Sequence, residues 1–130
     1  MSQVPTIAAI TVLLADDSEQ LRDLCATTLL RDGRFRVVGA VGDGRDVVVA
    51  AAKMRPDVVL LDLAMPGLDG LQVLPPLRSV LPGSCIVVFS GFHREEFADR
   101  VVEAGADAYL EKRDLACLPE RLVSLWRGGE

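Results

Sequence analysis

Five short apolar runs, each followed by a segment of helical spacing, alternate along the whole chain, and this alternation restricts the fold more than any single motif. Ile10–Ala15, Phe35–Ala40, Val58–Leu61, Cys85–Phe89 and Ala108–Leu110 have the length and content of buried strands. Ser18–Arg31, Gly44–Arg55, Leu71–Leu81, Arg94–Ala104 and Leu118–Trp126 read as helices. In the first helix Leu21, Leu24, Cys25, Thr28 and Leu29 form one inward face, and Gly33 stops it. Val47, Val48, Ala51 and Ala52 face inward in the second, and Leu118, Leu122 and Leu125 in the last. Pro75-Pro76 interrupts the third; an interior proline costs about 3 kcal/mol, which predicts a bend or a restart with a proline in the first turn. Five β-α units predict an α/β fold: a single doubly wound, five-stranded parallel sheet with helices on both faces.

At 130 residues the chain is expected to be one domain, with residues 1–8 as an N-terminal tail and 127–130 as a C-terminal tail or linker start. Half the residues are apolar, enough for a full core, yet no apolar run approaches the roughly 20 residues that span a bilayer. Met1–Thr6 carries no basic cluster ahead of an apolar stretch, so a cytoplasmic protein is expected, without membrane contact. The three cysteines, Cys25, Cys85 and Cys117, lie in apolar periodic segments and are expected to be buried reduced thiols. A single histidine, His93, excludes His-pair zinc motifs and argues against Ser-His catalysis. The net charge of −5, with no strongly basic stretch, argues against direct nucleic-acid contact.

In open parallel sheets the functional site lies beyond the carboxyl ends of the strands. Those ends carry Asp16 and Asp17 from the first strand, Asp62 from the third, Ser90 from the fourth and Lys112 just past the fifth. Three carboxylates against one lysine leave an excess of negative charge; like charges about 4 Å apart repel by roughly 4 kcal/mol at an effective dielectric of about 20. A hard divalent cation cancels that excess, and Mg²⁺ fits because it takes one or two carboxylates and keeps several waters. An aspartate beside Mg²⁺, faced by a hydroxyl and a lysine, is equipped for phosphoryl transfer to the carboxylate. Lys112 would neutralise the phosphoryl oxygens, Ser90 would donate one hydrogen bond, and the Gly91 amide is approachable because glycine has no Cβ.

Four segments in this order, the pair Asp16-Asp17, VVLLDLAMPGLDG around Asp62, VVFSG ending in Ser90-Gly91, and GADAYLEK ending in Lys112, resemble the CheY-like receiver domains of two-component response regulators. The resemblance covers essentially the full chain and implies strand order 2-1-3-4-5, the flavodoxin-like arrangement. It implies that Asp62 accepts a phosphoryl group from a partner sensor histidine kinase or phosphotransfer protein. Mg²⁺ would be held through Asp17, Asp62 and the Ala64 carbonyl, with Asp16 acting through water, and Ser90, Gly91 and Lys112 would contact the phosphoryl group. Ser90 and Tyr109 would form the switch pair that shifts the face made by the fourth helix, fifth strand and fifth helix. Ala64 and Phe92 stand at the positions that tune phosphoryl lifetime in the family. Both are apolar and unable to orient water, which predicts slow self-dephosphorylation. The domain would not be an enzyme beyond self-phosphorylation and self-dephosphorylation.

Ser90 stands where threonine is commoner, and Lys112 is followed by Arg113 rather than proline. Together with FRVVGAVGDG, these choices resemble receivers that precede a LuxR-type DNA-binding domain. The signal is therefore expected to pass to a downstream protein partner or to a C-terminal DNA-binding domain, with homodimerisation on phosphorylation. The alternative is an unphosphorylated interaction module. A haloacid-dehalogenase-type phosphatase would need a second carboxylate where Ala64 stands, and a flavodoxin would need a Ser/Thr-rich phosphate loop where Asp16-Asp17-Ser18-Glu19 stands. Gly42-Asp43-Gly44 is only a fragment of the dinucleotide fingerprint and reads as a turn before a helix.

Overall fold

A computed structural model describes residues 8–67 and 69–128 and realises the alternation in full. In chain order the elements are β1 (Ile10–Ala15), α1 (Glu19–Asp32), β2 (Phe35–Val41), α2 (Gly44–Met54), β3 (Val58–Leu61), α3 (Gly70–Val80), β4 (Cys85–Ser90), α4 (Arg94–Ala104), β5 (Ala108–Glu111) and α5 (Leu118–Gly128). All strand pairs are parallel, in the order β2-β1-β3-β4-β5. Such pairs need crossover connections, and here every crossover contains a helix.

The period-two alternation of the strands divides the core in two. Val12, Leu14, Val58, Leu60, Val87, Phe89 and Leu110 pack against Cys25 and Leu29 of α1 and Leu118 and Leu122 of α5. Leu13, Val59, Leu61, Ile86, Val88 and Tyr109 pack on the other face against α2, α3 and α4. The helices begin where side chains can take their free amides. Ser18 caps α1 by accepting from the Leu21 amide, and Asp69 and Gln72 form a reciprocal capping box on α3. Gly33 ends α1 in the left-handed region, at φ 90°, which glycine enters without strain.

Several expectations need correction. Leu24 is 50% exposed and Ala52 is also exposed, because one strand face offers each helix a narrower stripe than apolar spacing alone suggests. Leu125 is only half-buried. Cys117 is exposed, since it ends a 3-10 helix, Lys112–Cys117, that was not anticipated; Cys25 and Cys85 are buried as expected. Burial pushes both of those thiols up to about 11, with Asp16 adding to the effect on Cys25 and Asp107 on Cys85, so neither is reactive at neutral pH. Pro75 and Pro76 lie well inside α3 rather than in its first turn. Both rings are exposed, and the carbonyls that lose an amide partner are those of Leu71 and Gln72, four residues earlier. The last helix continues through Gly128, past Trp126, so the expected C-terminal tail at 127 begins within α5. Residues 1–7 of the expected N-terminal tail and residues 129–130 lie outside the described residues.

Opposite the strand ends that carry the acids, Arg78 ties two loops together, α3–β4 and α4–β5. Its guanidinium donates to the carbonyls of Gly105 (2.9 Å), Leu81 (3.0 Å) and Ser84 (2.7 Å) and to the Asp107 carboxylate (2.6 Å). Asp107 in turn accepts from the Ile86 amide at 2.8 Å, fixing β4 against β5. Arg78→Ala is expected to lower the unfolding free energy by roughly 3 kcal/mol, since it strands several half-buried acceptors at once; urea denaturation of the purified protein measures it.

Candidate functional site

The same alternation carries the key side chains past the ends of the strands. Asp16 follows Val12 and Leu14, Asp62 follows Val58 and Leu60, and Lys112 follows Leu110, so all three continue the α1/α5 face. The ladder also runs one residue further: the Asp16 amide donates to Val41 O (3.0 Å) and the Asp62 amide to Ala15 O (2.8 Å). This backbone pairing fixes both carboxylates at the edge of the sheet. Asp16 and Asp62 are buried, at 7% and 4% exposure, while Asp17 is exposed. Oxygen atoms of Asp16, Asp17 and Asp62 lie within 4.8 Å of one another.

Lys112 reaches back over the sheet and bridges the two buried acids. Its Nζ lies 2.8 Å from Asp16 Oδ2 and 3.3 Å from Asp62 Oδ2. Burial works against the lysine charge, but the hydrogen bond to Asp16 and the charge of Asp62 outweigh it, so its pKa is raised. Asp62 is also raised, first by burial and then by Asp16, with Lys112 opposing. Asp16 is held further by the Ser18 amide on Oδ1 (2.9 Å), and Asp62 by the Ala64 amide on Oδ1 (3.3 Å). One ammonium facing three carboxylates leaves negative charge in excess, and the donors are all hard oxygens with an exposed approach through Asp17. That donor set fits a small divalent cation.

Ser90 and Tyr109 belong to the opposite alternation and meet at one residue, Phe92. Ser90 is fully buried and its Oγ accepts from the Phe92 amide at 3.2 Å. Tyr109 is turned inward, 3% exposed, and its hydroxyl donates to the Phe92 carbonyl at 2.8 Å. Burial raises the Tyr109 pKa, which keeps the phenol a donor. The Phe92 ring is 44% exposed and packs on Phe97, 5.2 Å between centroids, with the Arg100 guanidinium 5.5 Å from the Phe97 ring centre. Ala64 is exposed beside Asp62. Gly91 is exposed too, and a Cβ there would meet nothing within 4 Å, so packing does not demand the glycine.

Two features escaped the sequence reading. Glu111 is buried at the end of β5, with His93 Nδ1 at 3.6 Å and Arg113 Nε at 3.3 Å. Arg22, on α1, donates from Nη1 to the Asp16 carbonyl at 2.7 Å. Neither residue sits at a position that period or spacing singles out.

A family model described as the response regulator receiver domain matches residues 12–123. The chain belongs to the response regulator receiver family. The receiver is similar to the nitrate/nitrite response regulator protein NarL of Escherichia coli K12, 38% identical over 102 residues, covering 78% of this chain and 47% of that protein. It is also similar to protein-glutamate methylesterase/protein-glutamine glutaminase 5 of Myxococcus xanthus, 40% identical over 125 residues, 95% of this chain and 35% of that protein. Among solved structures, a LuxR-family two-component response regulator from Aurantimonas sp. SI85-9A1 superposes with TM-score 0.87 at 25% identity, covering 93% of this chain and 87% of that one. The receiver spans about half or less of the length of these curated relatives. Receivers are signalling domains, and the family generally binds Mg²⁺ in an acidic pocket. Among the described residues no helix is long and apolar enough to cross a membrane.

The charge arrangement of the receiver predicts opposite effects for two substitutions. Asp62→Asn is expected to raise the metal-free unfolding free energy at neutral pH by on the order of 1 kcal/mol, by removing a charge that is opposed first by burial and then by Asp16. Because the folded state holds the Asp62 proton more tightly, the unfolded chain ionises first as pH rises. The cost of the wild-type carboxylate therefore accumulates above about pH 4, and the advantage of asparagine vanishes in acid. Lys112→Met is expected to lose roughly 2 kcal/mol, because it leaves two buried acids without their cation. Thermal and urea unfolding in a chelator, across pH, reads both.

Proposed function

We propose that Asp62 is the phosphoacceptor of a two-component switch, charged by a partner histidine kinase or phosphotransfer protein, with Mg²⁺ held through Asp17, Asp62 and the Ala64 carbonyl and with Asp16 acting through water. The observation that carries this reading is the position of Lys112 Nζ, 3.3 Å from Asp62 Oδ2, beside an acidic pair whose oxygens lie within 4.8 Å of the same carboxylate. In the transfer, an Asp62 oxygen attacks phosphorus, the P–N bond of the donor phosphohistidine breaks, and its electron pair returns to the imidazole nitrogen. When bound, Mg²⁺ supplies neutralisation of the phosphoryl oxygens. Lys112 then trades one of its two carboxylate partners for a phosphoryl oxygen, and Ser90 and the Gly91 amide supply hydrogen bonds.

A hydroxyl that turns to the phosphoryl group must release the Phe92 amide it now accepts from, and Tyr109 is tied to the carbonyl of that same residue. This supports Ser90 and Tyr109 as the pair that passes the charge change to the face of α4, β5 and α5. The output is then a protein contact, a homodimer, or an attached DNA-binding domain, as in the DNA-binding LuxR-family response regulator of Staphylococcus aureus that this fold resembles. The net charge of −5 favours signalling by protein contact over direct nucleic-acid contact by this domain. Phosphoryl exchange with a kinase carries with it a cytoplasmic location.

Incubation with Mg²⁺ and a small acyl phosphate, followed by intact-mass measurement, is expected to add one phosphate to the wild type and none to Asp62→Asn. Absence of an adduct on both favours an unphosphorylated interaction module. Ala64 and Phe92 offer no group that orients an attacking water, so the phosphoprotein is expected to persist for minutes or longer. Ala64→Asn, which adds a carboxamide beside Asp62, is expected to shorten that lifetime about tenfold or more; decay of the adduct by mass reads the change.

A further inference from the structure

Of the three acids at the site, Asp17 is held least by its own side chain. Asp16 is gripped by Lys112 and the Ser18 amide, and Asp62 by Lys112 and the Ala64 amide. Asp17 is exposed, and among the described residues its carboxylate has neither an ion-pair nor a hydrogen-bond partner. The direction in which its Cα–Cβ bond leaves the chain is set by the backbone, through the planar peptide that joins it to Asp16.

That peptide is clamped. Arg22 Nη1 donates to the Asp16 carbonyl at 2.7 Å, a short charge-assisted bond. On its other side the guanidinium meets Gly42 of the β2–α2 turn: a Cβ at Gly42 would lie 2.8 Å from Arg22 Nη1, and 3.6 Å from Asp16 O and from Asp17 Cα. The turn is fixed against the acids by the Asp16 amide on Val41 O at 3.0 Å, and against the β3–α3 loop by the Gly44 amide on Pro66 O at 2.9 Å. Among the described residues Arg22 makes no carboxylate ion pair, so its contact at the site is with backbone. That donor fixes the peptide plane.

We propose that Arg22, seated against Gly42, is a positioning residue that aims the Asp17 carboxylate for divalent-cation binding. The proposal rests on the reading of Asp16, Asp17 and Asp62 as the cation site. It also explains the glycine at 42, where any side chain would push the guanidinium off the carbonyl. The displaced atom is the far end of a flexible side chain and the backbone contacts at 3.6 Å are ordinary, so Gly42→Ala is expected to fold while releasing the clamp.

The test is a titration of wild type, Arg22→Ala, Arg22→Lys, Gly42→Ala and the double variant with Mn²⁺ alone, free ion being counted by electron paramagnetic resonance, beside metal-free unfolding curves. Groups that orient metal ligands typically cost about 10–100-fold in affinity when removed. Arg22→Ala and Gly42→Ala are each expected to weaken Mn²⁺ about tenfold or more. The double variant is expected to lose no more than Arg22→Ala, because the glycine acts through the arginine. Arg22→Lys, with one donor able to reach the carbonyl, is expected to recover part of the loss. Equal affinity in wild type and Arg22→Ala overturns the proposal while leaving the cation site intact. Additive losses in the double variant overturn the link to Gly42. Failure of the wild type itself to bind Mn²⁺ overturns the cation site, and the proposal with it.

Discussion

Two carboxylates can stay charged beneath a protein surface only where a cation offsets their repulsion, and in this receiver Lys112 does so for both Asp16 and Asp62. The bridge crosses the sheet from β5 to β1 and β3, strands that are not all neighbours, so it stabilises the edge at which every proposed site residue gathers. One ammonium against these two acids and the neighbouring Asp17 leaves negative charge in excess. A buried ion triad of this kind is weak evidence for stability, since an apolar replacement can pack as well. Its value lies in where it holds the two carboxylates, side by side at the edge of the sheet.

Much of this was legible because strands impose period two and the fold imposes where strand ends meet. Counting from Leu14, Leu60 and Leu110 places Asp16, Asp62 and Lys112 on one face before any coordinate is known. The same count sets Ser90 and Tyr109 apart from them. Helix faces were less legible. Apolar spacing assigned Leu24 and Ala52 to the interior, yet a helix lying on one sheet face buries a stripe whose width depends on its neighbours, and both residues fall outside it. The prolines of α3 misled in another way. Their cost is real, but both rings face solvent, and the buried stripe of Val73, Leu74 and Leu77 is untouched.

What no pattern announced was the contact of side chains with backbone. Arg78 and Arg22 both spend their donors on loop carbonyls, and loop carbonyls carry no residue identity to read. The buried Glu111, with His93 and Arg113 beside it, was hidden for a related reason, since strand-end acids are as often solvated as paired. Cys117 followed from the unforeseen 3-10 turn, in which neither length nor apolar content resembles a helix.

The pairing of β1 with β2 slips by one residue: Val12 faces Val37, but Leu13 faces Gly39, leaving Val38 as an extra residue in β2. The extra residue falls between two stretches that each keep a regular register with β1, Ile10–Val12 against Phe35–Val37 and Leu13–Ala15 against Gly39–Val41, so the irregularity is absorbed locally. The Val41 carbonyl still arrives opposite the Asp16 amide, and the turn at Gly42 beside the acids. What the bulge adds is bend and twist in a strand that lies at the sheet's edge, where a kinked edge is a poor template for a neighbouring chain.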